Sequence, residues 1–168
     1  RALVLDAFPD AMTALPRLLK NPFDKVAQSS LVHAAFISGV SLGNSGLGLA
    51  HGVAAAIGVE CGASHGLACA TLLPVALRVN QKIAENDLAK LNQVLGGEGL
   101  SAPDSAQQLI ERVVELCRFA GTPTRLSELG LKRNRIPWVA EHSGGNSMRG
   151  NPVQLSSLEL EQLLESVF

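Results

Sequence analysis

The chain has 168 residues, of which 46% are hydrophobic and 17% charged, with a mean hydropathy of +0.21 and a net charge of −1. That is long enough for one domain with a real core and too apolar for a disordered segment. No basic block is present, aromatics are few and tyrosine is absent, which excludes a nucleic-acid surface or a base-stacking platform.

Cys61, Cys69 and Cys117 are odd in number and form no C-x-x-C, so the expectation is free thiols in a reducing, cytoplasmic setting. Apolar runs are broken by Gly, His, Ser or Pro before reaching the roughly 18–20 residues of a membrane span, so none is expected. No signal-peptide pattern opens the sequence. The chain starts at Arg1 and enters an apolar segment at once, and the expectation is that processing or truncation removed what came before.

Residues 1–20 have helical spacing, with Leu3, Ala7, Ala11 and Ala14 near one face. Pro9 and Pro16 each lack a donor and clash one turn back, which predicts a kink or break at each. Asn21-Pro22-Phe23-Asp24 reads as a helix start, with Asn21 as cap and Asp24 at the positive end. That helix is expected to reach about Leu42. Its middle, Leu31 to Ile37, is apolar on all sides, which predicts burial against other helices.

Gly43-Asn44-Ser45-Gly46 interrupts the pattern. A small-residue helix follows from about Leu47 to Ile57. Glycine in a helix interior costs about 1 kcal/mol against alanine, so Gly48 and Gly52 imply a gain such as close approach of a neighbouring backbone. A second helix is expected from His65 to about Asn80, capped by Ser64 and bent at Pro74. Residues 82–95 read as a separate amphipathic helix closed by Gly96-Gly97. Ser101 opens another, which ends at Gly121. Leu126–Leu129 suggests a short turn, and Lys132, Arg133 and Arg135 a small solvated basic face. Residues 136–142 suggest a short helix. Ser156 and Glu159 form a capping box ahead of a final helix. No stretch alternates with period two, so the sequence reads as a single all-α domain over residues 1–168.

Candidate chemistry concentrates between Gly43 and Asn80, a stretch dense in glycine whose only charges are Glu60 and Arg78. His51 and His65 stand 14 apart, each followed by Gly, in otherwise apolar surroundings. Zinc and divalent iron accept neutral imidazole, and two such residues can converge when successive helices pack antiparallel. The alternative is a pair of satisfied core histidines. Cys61, Cys69 and Cys117 read as small buried structural residues. His33 reads as a core or interface histidine and His142 as exposed. Gly43 to Gly48 loosely resembles a phosphate loop, but it follows no strand and lacks the Lys and Ser/Thr of a Walker motif.

Gly48-x-x-His51, then Gly58, His65-Gly66, Leu73-Pro74 and Asn80 resemble the signature of the iron-containing (group III) alcohol dehydrogenases, G-x-x-H-x(6)-G-x(6)-H-G-x(6)-L-P-x(5)-N. Pro16, the segment Ala27–Gly39 and Gly150-Asn151-Pro152 also resemble that family, so the likeness covers essentially the whole chain. It implies a multi-helix bundle of the dehydroquinate synthase-like, iron-containing alcohol dehydrogenase C-terminal type. It also implies a parent enzyme with an N-terminal NAD(P)-binding domain that is absent here. That enzyme would interconvert an alcohol with an aldehyde or ketone. In the family, one Asp and three His hold Fe2+, sometimes Zn2+; His51 and His65 match the last two. The Asp and first His belong to a D-x-x-x-H motif, and no such motif occurs in this sequence. Ala55 stands where many members carry a further His. The resemblance therefore implies a fragment inactive on its own, with metal weak or absent. Its partners would be the missing nucleotide domain, a small alcohol or aldehyde, and a second copy of the chain through the exposed face. A maleylacetate reductase-like member is the alternative within the family. The other alternative is a helical domain that has lost catalysis and serves a binding or structural role.

Overall fold

In the computed structural model, which describes residues 2–168, every element is helical, and no strand occurs among the described residues. The order is α1 (Ala2–Lys20), α2 (Lys25–Ser45), α3 (Leu49–Cys61), α4 (His65–Gln93), α5 (Ala102–Phe119), α6 (Ile136–His142) and α7 (Ser157–Ser166). Two 3-10 turns, Leu126–Leu129 and Arg133–Arg135, precede α6. The all-α expectation holds. The helices group into two compact units, Arg1–Ser45 with Ala84–Ala120, and Gly46–Ile83 with Gly121–Phe168.

In the first unit α1 and α2 pack as a pair. Helix α1 continues through Pro9 and Pro16, so of the expected kink or break neither proline makes a break. The Thr13 hydroxyl takes up the Pro9 carbonyl at 2.8 Å. The cap of α2 lies three residues later than Asn21, and the helix itself begins at Lys25. Asp24 is the residue that caps it, its carboxylate accepting the Ala27 N–H at 3.0 Å and pairing with Arg17. Those two partners, the Ala27 amide first, hold the Asp24 carboxyl below the usual range.

The apolar middle of α2 is not buried as expected. Only Ala27 and Ile37 are buried, while Val32 and Phe36 are 69% and 68% exposed. His33 is also exposed rather than in the core, its Nδ1 3.0 Å from the Asp10 carboxylate. One helix can cover only one side of another, and α1 covers the Ala27 and Ile37 side. By length and composition α2 would suffice to cross a membrane; here it is the partner of α1. Asn92 is fully buried in this unit, its amide donating to Ser105 and Gln108 at 3.0 and 2.8 Å. Ser101 caps α5 as expected.

The second unit holds a core in which Leu49, Val53 and Ile57 of α3 meet Ala68 and Leu72 of α4. Leu126, Ile136, Val139 and Leu164 complete it. Gly62 closes α3 in the left-handed region, φ 70°, where a side chain would be strained. Ser156 and Glu159 form the expected capping box on α7.

Two departures from expectation have clear causes. Residues 65–93 are one helix of 29 residues rather than two, because no Gly or Pro follows Pro74 within it. The basic cluster near residue 133 is not merely solvated. Arg135 makes a two-pronged bond to Glu60 on α3, both contacts 2.7 Å, and Arg133 pairs with Glu165. The guanidinium holds the Glu60 carboxyl below its ordinary value.

Candidate metal centre

The site is built on the start of α3. Its first amide, Leu49 N–H, is buried and lacks a partner within the helix, as do the first amides of any helix. Asn151 supplies one from 102 residues away, its Oδ1 accepting Leu49 N–H at 3.0 Å. The same oxygen accepts the Asn80 amide at 2.9 Å, and Asn151 Nδ2 donates back to Asn80 Oδ1 at 3.0 Å. Asn151 Nδ2 also donates to the Val153 carbonyl at 2.7 Å, and Val153 N–H donates to Asn80 Oδ1 at 3.1 Å. Two asparagines thus fasten the start of α3, the middle of α4 and the loop near residue 151.

The glycines are part of this fastening. A Cβ on Gly48 would stand 2.9 Å from Asn151 Oδ1, and one on Gly52 the same distance from the Ser143 carbonyl. A Cβ on Gly150 would stand 2.3 Å from the Leu47 carbonyl oxygen. The close approach inferred for Gly48 and Gly52 is therefore present, and the neighbour is the 143–151 loop of the same chain.

Held this way, α3 turns His51 toward the first residue of α4, His65. Nδ1 of His51 and Nε2 of His65 are 3.2 Å apart, with the ring planes tilted by 49°. His65 is exposed and His51 half-buried, so the pair sits at a surface edge rather than deep in the core. Burial, and then the neighbouring His65, push the His51 pKa down, which favours the neutral imidazole that a metal requires.

Cys69 joins them. Its Sγ is 3.5 Å from His51 Nδ1 and 3.5 Å from His65 Nε2. The sequence reads this thiol as structural; its position four after His65 on one helix is the signal that points here. Burial pushes the Cys69 thiol pKa up. His51, His65 and Cys69 offer three ligand atoms within 4.8 Å of one another.

The other candidates lie elsewhere. Cys61 is structural, its thiol donating to the Ile57 and Leu129 carbonyls at 3.2 and 3.4 Å. His142 is exposed and stacks on Trp138, with Nδ1 2.8 Å from the Trp138 carbonyl. Ala55, one turn after His51, is exposed and carries no donor.

Comparison with known proteins agrees with the motif. The model of the Fe-containing alcohol dehydrogenase family, C-terminal, matches residues 2–168. The chain is 30% identical over 138 residues to lactaldehyde reductase of Escherichia coli strain K12, covering 81% of this chain and 36% of that protein. It is also 30% identical over 155 residues to maleylacetate reductase 1 of Cupriavidus pinatubonensis, covering 92% of this chain and 41% of the relative. A crystal structure of 1,3-propanediol oxidoreductase superposes with a TM-score of 0.94 at 25% identity, over 100% of this chain and 45% of that one. The chain thus spans about two fifths of the proteins it matches. Signature, helical fold and full-length match together assign it to the iron-containing alcohol dehydrogenase family, in the C-terminal part.

Proposed function

We propose that this chain is the metal-binding helical part of an NAD(P)-dependent alcohol dehydrogenase, and that His51 and His65 hold its divalent ion, iron or zinc. The parent protein interconverts a small alcohol with its aldehyde or ketone. The observation that carries this is the convergence of the two ring nitrogens at 3.2 Å. Two neutral imidazoles suit zinc and divalent iron, so the donors present fit the ion that the family name implies. When bound, such an ion acts as a Lewis acid on the substrate oxygen.

The protein's part is positional. The Asn80–Asn151 clamp fixes the start of α3 and hence the direction of His51. The His65 edge is open to solvent. Two imidazoles alone hold an ion weakly, and the nucleotide site and further donors fall to sequence outside these 168 residues. The chain alone is therefore inactive in hydride transfer. It belongs to a cytoplasmic, homo-oligomeric enzyme. Because identity to the maleylacetate reductase equals that to the lactaldehyde reductase, that substrate class is the second possibility.

The upstream coding sequence tests this. A nucleotide-binding fold containing D-x-x-x-H is expected, with NAD(P)-linked oxidation of small alcohols by the longer protein that is lost in His51→Ala. An unrelated upstream segment would overturn it and favour a helical domain used for binding.

A further inference from the structure

We propose that a cleft between α1 and α5, within the first unit, binds a small monocarboxylate with a hydrocarbon body. The site uses none of the residues of the candidate metal centre, and the dehydrogenase assignment does not require it.

The cleft has a volume of about 430 Å³, the size of a small-molecule site. Helix α1 supplies Met12 and Pro16, one turn apart, and the turn after α4 supplies Leu95. Helix α5 supplies Arg112, Glu115, Leu116 and Phe119, whose spacing is that of one helix face. Phe119 is half-exposed, and the Lys20 ammonium stands over its ring, 5.6 Å from the centroid. Most of the wall is therefore hydrocarbon, with a few charges set into it.

Arg112 selects the head group. Two arginines are half-buried among the described residues, Arg112 and Arg135. Arg135 is answered by the Glu60 carboxylate. Arg112 is answered by a carbonyl alone, its Nη1 donating to Leu95 at 2.9 Å, and no ion pair among the described residues includes it. A guanidinium on an apolar wall is costlier to leave without an anion than one in bulk water. Its planar fork fits a carboxylate.

The fork is held in place before any ligand arrives. The turn after α4 closes through the Leu95 and Gly97 N–H groups, both donating to the Asn92 carbonyl at 3.0 Å. The buried Asn92 amide in turn donates to Ser105 and Gln108 of α5. Gly97 is required there, since a Cβ would stand 2.1 Å from Asn92 Nδ2. The Leu95 carbonyl is thus fixed relative to α5, and Arg112 with it, which lowers the ordering cost of binding. Arg112 and Lys20 outnumber the one acid on the wall, Glu115, by a single positive charge. One negative charge is therefore favoured, and a second would meet Glu115.

Titration of the isotope-labelled 168-residue chain with hexanoate, followed by NMR, tests this. The Met12 and Leu116 methyl signals are expected to shift and saturate, with a Kd of about 1–10 mM for so small a ligand. Hexan-1-ol has the chain without the charge and should bind about tenfold more weakly or worse. The dianion adipate should also bind more weakly than hexanoate. Arg112→Gln should weaken hexanoate by about tenfold or more. Phe119→Ser, at an exposed position, leaves Arg112 and its tie to Leu95 in place and should weaken hexanoate by about threefold or more. Circular dichroism checks the fold of both variants. If Arg112→Gln does not fold, Phe119→Ser and the hexan-1-ol comparison decide. Absence of a saturable hexanoate shift at Met12 and Leu116, unchanged affinity in either folded variant, or hexan-1-ol or adipate binding as tightly as hexanoate would each overturn the proposal.

Discussion

Replacing Asn151 by Ala is the most informative perturbation of the fold around the site. The side chain vanishes from between Leu49, Asn80 and Val153, and three groups lose a partner: Leu49 N–H, Asn80 Nδ2 and the Val153 carbonyl. Asn80 Oδ1 keeps the Val153 N–H. At about 1–1.5 kcal/mol for each buried group left unmet, the loss is ~3–5 kcal/mol. Gly48→Ala alone should cost ~1–3 kcal/mol by overpacking, because its Cβ would stand 2.9 Å from Asn151 Oδ1. Gly48 has extended backbone, φ −144°, so its cost is steric only. With Asn151→Ala in place the obstructing oxygen is gone, and the remaining contacts, to the Asn151 Cα and Cβ at 3.6 and 3.7 Å, are ordinary. The double variant should therefore be more stable than the sum of the singles, by about 1–2 kcal/mol of coupling. Urea unfolding followed by circular dichroism gives all four corners of the cycle. Additivity within about 0.5 kcal/mol would show that Gly48 and Asn151 do not meet as described.

Three further outcomes are expected. Gly150→Ala should destabilise by about 3 kcal/mol or more, since its Cβ would meet the Leu47 backbone oxygen at 2.3 Å; Asn151→Ala should not rescue it in the same unfolding assay. The depressed Glu60 pKa means that its bond to Arg135 stabilises the fold above the ordinary glutamate range and is lost as pH falls through the lower, folded-state value. The Tm of wild type should thus exceed that of Glu60→Gln at neutral pH, with the gap closing in acid; a gap independent of pH would contradict the pairing. Phe23, Val32 and Phe36, exposed by 81, 69 and 68%, should make the chain self-associate at high concentration. Light scattering should show this declining in Phe36→Lys, and a monodisperse wild-type monomer would refute it.

Much of this architecture was legible in the sequence, and the reasons are local. Ser101, and Ser156 with Glu159, act within one turn of chain, so residue type at a fixed offset suffices. The two histidines were legible because their setting is apolar. The pairing of Asn80 with Asn151 was not. Each residue sits in a recognisable motif, but their partnership spans 71 positions and depends on tertiary packing. The place of Cys69 beside the two rings was not legible either, because cysteine is common in cores and its spacing from His65 carries no direction until α3 is in place. The apolar stretch of α2 misled in the opposite sense. Hydrophobicity reports that a surface suits burial, and cannot say whether its cover lies in the same chain.

The Asn151 clamp also has a consequence in time. The start of the His51 helix depends on an acceptor 102 positions further along the chain. A nascent chain that has already made both histidines and Cys69 still has an unmet amide at Leu49 and an unfixed α3. The approach of His51 to His65 is thereby deferred until synthesis has passed residue 151, and a product stalled between residues 70 and 150 would carry both histidines without the frame that turns them together.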